Sequence, residues 1–548
     1  MEDSRAKQYI KMYEREDAED MNFKSNLWQP ISDLILPRMN QILQKSSPGK
    51  NDQEEIFNTV GQLAAEDMAS GLAGMIVPNG EVFYAVDVPN SNQLSDRSRR
   101  YLGFLTERSH EILFESNFVS QFNEALLSFC IFGPCNLFSE FDIEENTLNY
   151  LSFDIGTYTI VRDSRLRVSC VLVKWKIRAR EAVKLFGNKA GNKVHEASSK
   201  PDTMDKTFEY LHIVEPRKSY NPKMSGLAMN MPYRSVWVAV EDIIISKEGG
   251  YQSNPYAIAN WRKSHKDKWG RGRGCVALPA CRQIQQMEVD LTECGNKYNN
   301  PPLEVSESFD GTVKTYPGAQ NRVSEMSSIR SLTDQVKGSY PVSREEIDRK
   351  AEEIKDIFLG KVFRQFLDLE GDRRTTVEIR ERKNQALRIV GAPIMNLYGD
   401  LLSPTLSRSI LLMIRHGKII FEGSPNPPDE LGGKSFNFEF MGELALALRD
   451  QKARGFSELT AFLGGMSQQF PEQHVEDYIS FNRSIPRMAK AFGAGVDDIA
   501  TQEEVAQKAE IRAQKEQAMM EAQAAMGAAE AYKNTTKAPE DGSPAGQM

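Results

Sequence analysis

Three kinds of residue grouping in this chain have the side-chain types that chemistry requires. The run Gly432-Gly433-Lys434-Ser435 supplies the glycine, lysine and hydroxyl that cradle nucleotide phosphates, but a phosphate loop needs a further glycine five residues before the second of these, where Pro428 stands. The run therefore reads as a turn ahead of an alternating Phe436, Phe438, Phe440 strand, and any ATP-driven motor is expected to be another protein. The six histidines, His110, His195, His212, His265, His416 and His474, form no HExxH pair, and none stands at ligand spacing from a cysteine. Neither metal nor cofactor is expected. Acidic pairs such as Asp348 with Glu352 have the separation that a nuclease uses, yet helical spacing alone produces them, and a solvated or subunit-contact face is the simpler reading.

Other polar groupings suggest contact instead of catalysis. Asp368, Leu369, Glu370, Gly371, Asp372, Arg373 and Arg374 make a polar loop between two helical stretches, by itself an ordinary helix–helix turn with a glycine C-cap. Arg262, Lys263, His265, Lys266 and Lys268, with Arg271 and Arg273, form a basic cluster. It lies between a β region and a helix, not along a basic face, so an intersubunit or solvated role is favoured over DNA contact. The aperiodic stretch 303–342, with Lys314, Tyr316, Arg322, Arg330, Asp334, Gln335 and Lys337, is too long for a plain connection and reads as a docking segment.

These groups need elements to position them, and the pattern of the chain is α+β. A length of 548 residues exceeds one ordinary domain. The 68 basic and 76 acidic side chains give a net charge of −8, a poor match to stable wrapping of DNA but compatible with a wall along which DNA slides. Six irregularly spaced cysteines without a CxxC pair, and the lack of a long apolar run, read as a reduced, cytosolic, soluble chain that inserts in no membrane. Helical periodicity covers 5–45, broken at Pro30, and 58–76, with Val60, Leu63, Ala64, Met68, Leu72 and Met75 on one face; a long stretch covers 92–130. Short β runs follow at 136–141, 158–162, 166–175, 207–215 and 235–245, with a polar exposed loop at 187–206. A helix is predicted over 277–297. Ser343 with Glu346 has the form of a capping box opening a helix over 343–367, a rod of roughly 38 Å, with Ile347, Ala351, Ile354, Phe358, Val362 and Phe366 on one face. The next helix runs from 376, kinks at Gly391 and Pro393, and continues past Pro404 to 414. Helices return over 441–463 and 471–492, an Ala/Gln/Glu/Met-rich helix spans 502–532, and the final residues have the composition of a disordered tail.

Several segments, in this order, resemble the head-to-tail connector, or portal, proteins of T7-like short-tailed bacteriophages. They are TVGQLAAEDMASGLAGMIVPNGEVFYAV at 59–86, TIVRDSRLRVSCVLVKWKIRAREAVKLFG at 159–187, WGRGRG at 269–274, ALPACRQIQQMEVDLTECGNKYNNPPLEV at 277–305 and TTVEIRERKNQALRIVGAPIMNLYGDLLSPTLSRSI at 375–410. The resemblance spans about 5 to 530 and rests on order and spacing; no one motif is diagnostic. Two positions depart from it: Cys275 stands where a helix-initiating proline is usual, and Thr376-Val377-Glu378-Ile379 where Ala-x-Glu-Val is. Neither touches the fold reading.

The resemblance implies a mainly helical portal fold, with β-rich wing and clip portions and long stem helices around a central channel. It divides the chain into an N-terminal helical wing (1–135), a β-rich wing (136–268), a first stem helix (269–302), a clip (303–342), a second stem helix (343–367), a tunnel loop (368–374), a long kinked helix (375–414), a C-terminal wing (415–500), a crown (501–532) and a tail (533–548). It implies a ring of about twelve identical subunits, a non-enzyme at the capsid vertex of the virion, assembled in host cytoplasm, through which double-stranded DNA is packaged and ejected. The partners implied are DNA without sequence preference, the large terminase subunit, the head-to-tail adaptor, major capsid and scaffolding proteins and internal core proteins. Asp368, Glu370, Asp372, Arg373 and Arg374 would face the channel, where two arginines touch phosphate and three carboxylates limit the grip. Lys314, Tyr316, Arg322, Arg330 and Lys337 would dock partners, and Ile347, Ile354, Phe358, Val362 and Phe366 would pack the stem between subunits. The competing readings are a DNA-processing enzyme of the terminase ATPase or nuclease kind and a purely structural capsid or tail-tube subunit.

Overall fold

The computed structural model describes residues 2–39, 41–43, 56–78, 80–89, 94–220, 227–299, 303–307, 312–314, 320–323, 329–331, 340–360, 391–419, 425–442, 445, 461–463, 508, 510–515, 517–522, 524 and 526. It divides into two units: Met1–Val86, Leu105–Pro425 and Phe436–Leu448 make the first, and Asp87–Phe104, Asn426–Ser435 and Arg449–Met548 the second.

The first unit is built around a five-stranded antiparallel sheet. Its helices are α1 (Glu2–Phe23), α2 (Gln29–Ile35), α3 (Val60–Ile76), the latter part of α4 (Asp96–Glu115) and α5 (Phe118–Ile131). After β1 (Tyr84–Asp87), the strands β2 (Pro134–Asp142), β3 (Thr147–Ser152), β4 (Tyr158–Arg162) and β5 (Val168–Arg178) follow, then α6 (Ala179–Phe186), α7 (Asn192–Ser198), β6 (Thr207–Pro216), β7 (Tyr233–Ala239), β8 (Ile244–Tyr251) and β9 (Tyr256–Asn260). Strands β4 to β8 form the large sheet in chain order, and β3-β2-β9 a smaller one. Alternation sorts the side chains of β6 to opposite faces: Leu211 and Ile213 pack with Ala6 and Tyr13 of α1, while Phe208 and Tyr210 pack with Ala182, Val194 and Ala197 of α6 and α7. The sheet is thus covered on both sides by its own chain.

Several elements differ from the sequence expectation for identifiable reasons. The polar segment 187–206 is not a bare loop: Ala190, Val194 and Ala197, four and three apart, make a short buried stripe that holds α7 down. The stretch 235–245 is two strands, separated by a turn in which Ile243 takes φ +55°. The helical run 92–130 breaks at Asn117, whose side-chain amide accepts the Tyr150 N–H (2.8 Å) and donates to the Tyr150 carbonyl (2.9 Å), pairing with the edge of β3. In α3 the buried face is Gly61, Ala64, Ala65, Met68, Ala69, Leu72 and Ile76, which turns Leu63 outward.

Prolines are absorbed in the same way twice. Pro30 follows a π-helical turn at Lys24–Trp28, and Pro404 follows one at Leu397–Leu402; each proline sits in the first turn of the helix beyond, α2 or α10 (Ser403–Arg415). A wider turn accommodates the missing N–H and the ring's clash with the preceding turn without ending the helix. Residues 391–396 are helical, and a π-helical turn lies just before Pro404.

The remaining elements of this unit are α8 (Arg273–Asn299), the two-stranded ladder of β10 (Leu303–Val305) with β11 (Ile329–Ser331), α9 (Tyr340–Ile357), and β12 (Asn437–Phe440) paired with β1. In the second unit, Glu430 caps the start of α4, its carboxylate accepting from the Ser95 N–H (3.4 Å) and from the Ser95 (3.0 Å) and Ser98 (2.8 Å) hydroxyls. Gly433, at φ +75°, turns the Gly-Gly-Lys-Ser run toward strand β12. No helix begins there to bind phosphate, in keeping with the turn expected.

Candidate functional site at the wing and stem junction

The chain passes from β9 into α8 through a gap that admits only glycine. A Cβ on Gly272 would stand 2.5 Å from the Ile131 carbonyl oxygen, one on Gly274 2.6 Å from the same oxygen, and one on Gly270 2.9 Å from the Arg262 carbonyl oxygen. Backbone bonds close the gap: the Trp261 N–H donates to Gly133 (2.8 Å), Gly272 to Phe132 (3.0 Å) and Arg271 to Arg262 (2.8 Å). The Gly-Arg alternation of 270–274 thus puts glycine wherever two backbones touch and arginine at the positions between. This junction fixes where α8 leaves the wing.

Beside it lies a buried ionic cluster. Lys268 Nζ donates to Glu16 (3.0 Å) and Thr159 Oγ1 (3.1 Å) and lies 3.1 Å from Asp20, while Trp269 Nε1 donates to Asp20 (2.7 Å). Burial alone would raise the pKa of Glu16, but hydrogen bonds from Arg15 and Lys268 outweigh it and hold the carboxyl below its ordinary value. Trp28, Tyr158 and Trp269 pack edge to face around the same point. The cluster ties α1 and β4 to the residue preceding the glycine run.

Helix α8 is pinned a second time along its length. Gln285 accepts the N–H groups of Phe57 (2.8 Å) and Asn58 (3.0 Å) and returns a bond to the Asn58 carbonyl (2.6 Å); Asn58 Nδ2 reaches Glu288 (2.9 Å). Beyond Gln285 the cover thins, with Met287 and Leu291 half-buried and most polar neighbours exposed. Helix α9 packs beside α8 and α3. It begins at Tyr340, so Ser343 and Glu346 lie inside it, and it stops at Ile357, before a turn in which Leu359 takes φ +63°. Helix α9 is 18 residues long.

The helix α10 is anchored by a buried cation. Arg408 Nε donates to the Ser139 carbonyl (3.0 Å), its Nη1 to the Ser253 carbonyl (2.9 Å) and hydroxyl (3.1 Å), and its guanidinium lies 5.0 Å from the Tyr251 ring centre. Burial lowers its pKa to about 10.

The residues singled out from sequence are distributed unevenly over this frame. Ile347, Ile354 and Phe358 are 6%, 0% and 0% exposed within this chain. Val362, Phe366 and the loop residues Asp368, Glu370, Asp372, Arg373 and Arg374 lie outside the described residues, as do Tyr316 and Lys337. Lys314 and Arg322 are exposed on one loop, which the Asn321 side chain pins through both backbone groups of Lys314 (2.9 and 2.8 Å); Arg330 is opposite Glu304 in the β10–β11 ladder. In the basic cluster, Lys268 is consumed by carboxylates, Arg271 pairs with Asp267 (3.3 Å) and Arg273 stacks on Trp261 (5.9 Å), while Lys263, His265 and Lys266 remain exposed. Sequence reasoning missed Asp20, Asn58, Gln285 and Arg408. Gln285 and Arg408 lie within segments that resemble the family but bear no local signal of their own, and burial in a tertiary setting reveals Asp20 and Arg408. All six cysteines are free thiols, and burial pushes Cys135 and Cys281 up to about 12. Among the described residues no helix is long and apolar enough to cross a membrane, and no three His, Cys, Asp or Glu side chains gather as metal ligands.

Comparison with known proteins gives this frame its place. The family of bacteriophage head to tail connecting proteins matches residues 6–499. The chain is 23% identical over 505 residues to the "Probable portal protein" of Bordetella phage BPP-1, covering 90% of this chain and 89% of that one. Among solved structures it is similar to a chain of the virion of a native gene transfer agent particle, with a TM-score of 0.31 and 10% identity over 79% of this chain and 95% of the other. With the family match running from α1 through the glycine junction, α8 and α9 to residue 499, the chain belongs to the bacteriophage head to tail connecting proteins and is a portal protein of the virion.

Proposed function

We propose that the chain is a non-enzymatic subunit of a closed ring of about twelve copies whose channel passes double-stranded DNA into the capsid and out again. The observation that carries the reading is the family match over residues 6–499. The rigid junction supports it, since a wing that fixes the departure angle of α8 in every subunit suits a coaxial stem. In this reading Asp368, Glu370, Asp372, Arg373 and Arg374 face the DNA, and Lys314, Tyr316, Arg322, Arg330 and Lys337 belong to the docking end for the large terminase subunit and later the head-to-tail adaptor. Capsid, scaffolding and internal core proteins meet the outer parts, and assembly takes place in host cytoplasm. Phosphate contacts carry no base information, so packaging is indifferent to sequence.

The test is the double change Arg373→Ala with Arg374→Ala, which leaves three carboxylates per loop unopposed. Rings seen by native mass spectrometry should persist while fewer particles retain a full-length genome. Unchanged genome length per capsid would remove the loop from the channel, a persistently monomeric chain would sink the ring, and a Mg²⁺-dependent activity abolished by a carboxylate pair would favour the enzyme reading.

A further inference from the structure

The part of the basic cluster that no internal partner consumes borders a cavity of about 250 Å³ lined by Arg162, Leu166, Lys263, Ser264, His265 and Asp267. Arg162 is held rigidly: its Nε donates to the Lys268 carbonyl (2.9 Å) and its Nη1 to the Leu166 carbonyl (2.8 Å). Its Nη2 is buried with no partner among the described residues. Two neutral carbonyls thus orient a guanidinium without neutralising it. Lys263 and His265 are exposed at the mouth with Ser264 between them, and Lys263 forms no ion pair among the described residues. The one carboxylate in the lining, Asp267, is matched by Arg271 at 3.3 Å. Asp400 on the π turn acts electrostatically on both Lys263 and Arg162, yet burial raises its pKa and it makes no ion pair with either.

We propose that this cavity is a binding site for a phosphate oxyanion. A fixed guanidinium behind the site, with a mobile ammonium, an imidazole and a hydroxyl at the rim, offers donors from several directions, which suits a tetrahedral anion with several oxygens better than a planar carboxylate. A volume of about 250 Å³ accommodates such an anion together with several waters at roughly 30 Å³ each. The oxyanion comes either from a free phosphate compound or from a phosphodiester of nucleic acid. The inference does not depend on the channel reading, since it rests on the lining alone.

The experiment uses the full assembled protein with sodium pyrophosphate as probe, titrated against sodium chloride of equal ionic strength while thermal unfolding is followed. Pyrophosphate should raise Tm beyond the chloride control, and Lys263→Gln with His265→Gln should weaken its apparent affinity about tenfold or more. Lys266→Gln, an exposed neighbour outside the lining, should leave that affinity unchanged. In parallel, a short DNA duplex is titrated by fluorescence anisotropy at several salt concentrations. If the double variant lowers the slope of log affinity against log salt by about one, the source is a nucleic-acid backbone. If only the pyrophosphate response is lost, the source is a free phosphate compound. A pyrophosphate response no larger than chloride, equal in parent and double variant, or lost as fully in Lys266→Gln, overturns the proposal.

Discussion

The wing sheet and the stem pair meet at the same glycine junction but bury themselves differently. Strands β4 to β8 are covered on one face by α1 and on the other by α6 and α7, so that Leu172, Val173, Tyr210 and Ile213 leave water within a single chain. Among the described residues, cover along α8 is densest near that junction. Ile284 is buried, but Met287 and Leu291 on the same stripe of α8 are half-buried, and the polar residues that follow are exposed. The sheet buries both faces within one chain, whereas among the described residues the far part of α8 keeps partial exposure, the surface that the proposed ring would use. Changes in the wing and the inner stem should therefore appear as loss of folding, and changes in the outer stem as loss of assembly.

The largest effect should come from the junction cluster. Lys268→Met leaves Asp20, with its side chain 1% exposed, without its cation, and leaves Glu16 at 7% with Arg15 as its remaining one. Removing one partner of such a buried group typically destabilises by about 3–5 kcal/mol. Denaturant unfolding should show a loss near the lower end, because Lys268 retains some water contact. Ile354→Ala should come next, at about 2–4 kcal/mol for an aliphatic side chain removed from a closed site. If Ile354→Ala leaves the isolated chain's stability unchanged and only loosens rings, the in-chain burial of α9 is the wrong account, and the boundary between the two regions lies closer to the wing.

Acid should strike the wing selectively. His212 is wholly buried, and desolvation lowers its pKa to about 3, with Lys247 adding to the shift; burial lowers His110 to about 4. Both are locked neutral. Trp175 donates to the Tyr256 hydroxyl (3.2 Å), which leaves that hydroxyl to donate to His212 Nδ1 (2.6 Å); the ring hydrogen is then on Nε2, facing Ser235 Oγ (2.9 Å). His110 donates from Nδ1 to the Thr106 carbonyl (2.7 Å) and accepts the Phe83 N–H at Nε2 (3.3 Å). Because both folded pKa values lie below the unfolded value of 6.5, the unfolded chain takes up protons first. Their contribution is complete above pH 6.5 and lost as pH falls toward 4 and 3. Each histidine contributes up to about 1.4 kcal/mol per pH unit, or about 2 kcal/mol between pH 6.5 and 5. The carboxyls of Glu140, Asp154 and Asp400, whose pKa values are raised chiefly by partial desolvation, act with the opposite sign, so the histidine share is best isolated by substitution. His212→Gln should flatten the acid limb by about one proton; an unchanged slope would mean that His212 is not held neutral in the fold.

How far the fold could be read from sequence follows from how local each signal was. Strand β4 and most of β2 and β6 coincide with their β runs, because alternation against a covered sheet is a period-two signal contained within the strand. The helix over 58–76 was likewise visible, but its buried face was misjudged by about one position: Gly61 allows close approach to Cys281 of α8, Ala64 and Ala65 are buried beside it, and Leu63, larger and more apolar, is turned out. The start of α9 was misread because Ser343 and Glu346 satisfy a capping pattern that the helix passes through. The junction was partly visible, as a Gly-Arg run whose spacing required an explanation. Its partners at Ile131, Asp20 and Thr159 were not, since more than 100 residues separate them from Trp269 and no short-range pattern records the pairing.

The smallest effect on the isolated chain, and the sharpest division between the two regions, should come from Met287→Ser with Leu291→Ser. Both positions continue the stripe of Ile284 at helical spacing but keep partial contact with water. Replacing them removes only part of a full side-chain burial, so the chain's own stability should fall by about 1–2 kcal/mol at most. Circular dichroism and the wing's acid limb should be unchanged. Assembly should respond far more, because in a ring the same deletion recurs at every subunit boundary and its consequences accumulate around the closed circuit. Native mass spectrometry should therefore show rings giving way to smaller species at protein concentrations where the parent remains closed. Two results would break the distinction drawn here. If the double variant unfolds as readily as Lys268→Met, the outer stem belongs to the chain's own core. If its rings are as stable as the parent's, the half-buried stripe of α8 faces solvent or channel and neighbouring subunits meet on another surface.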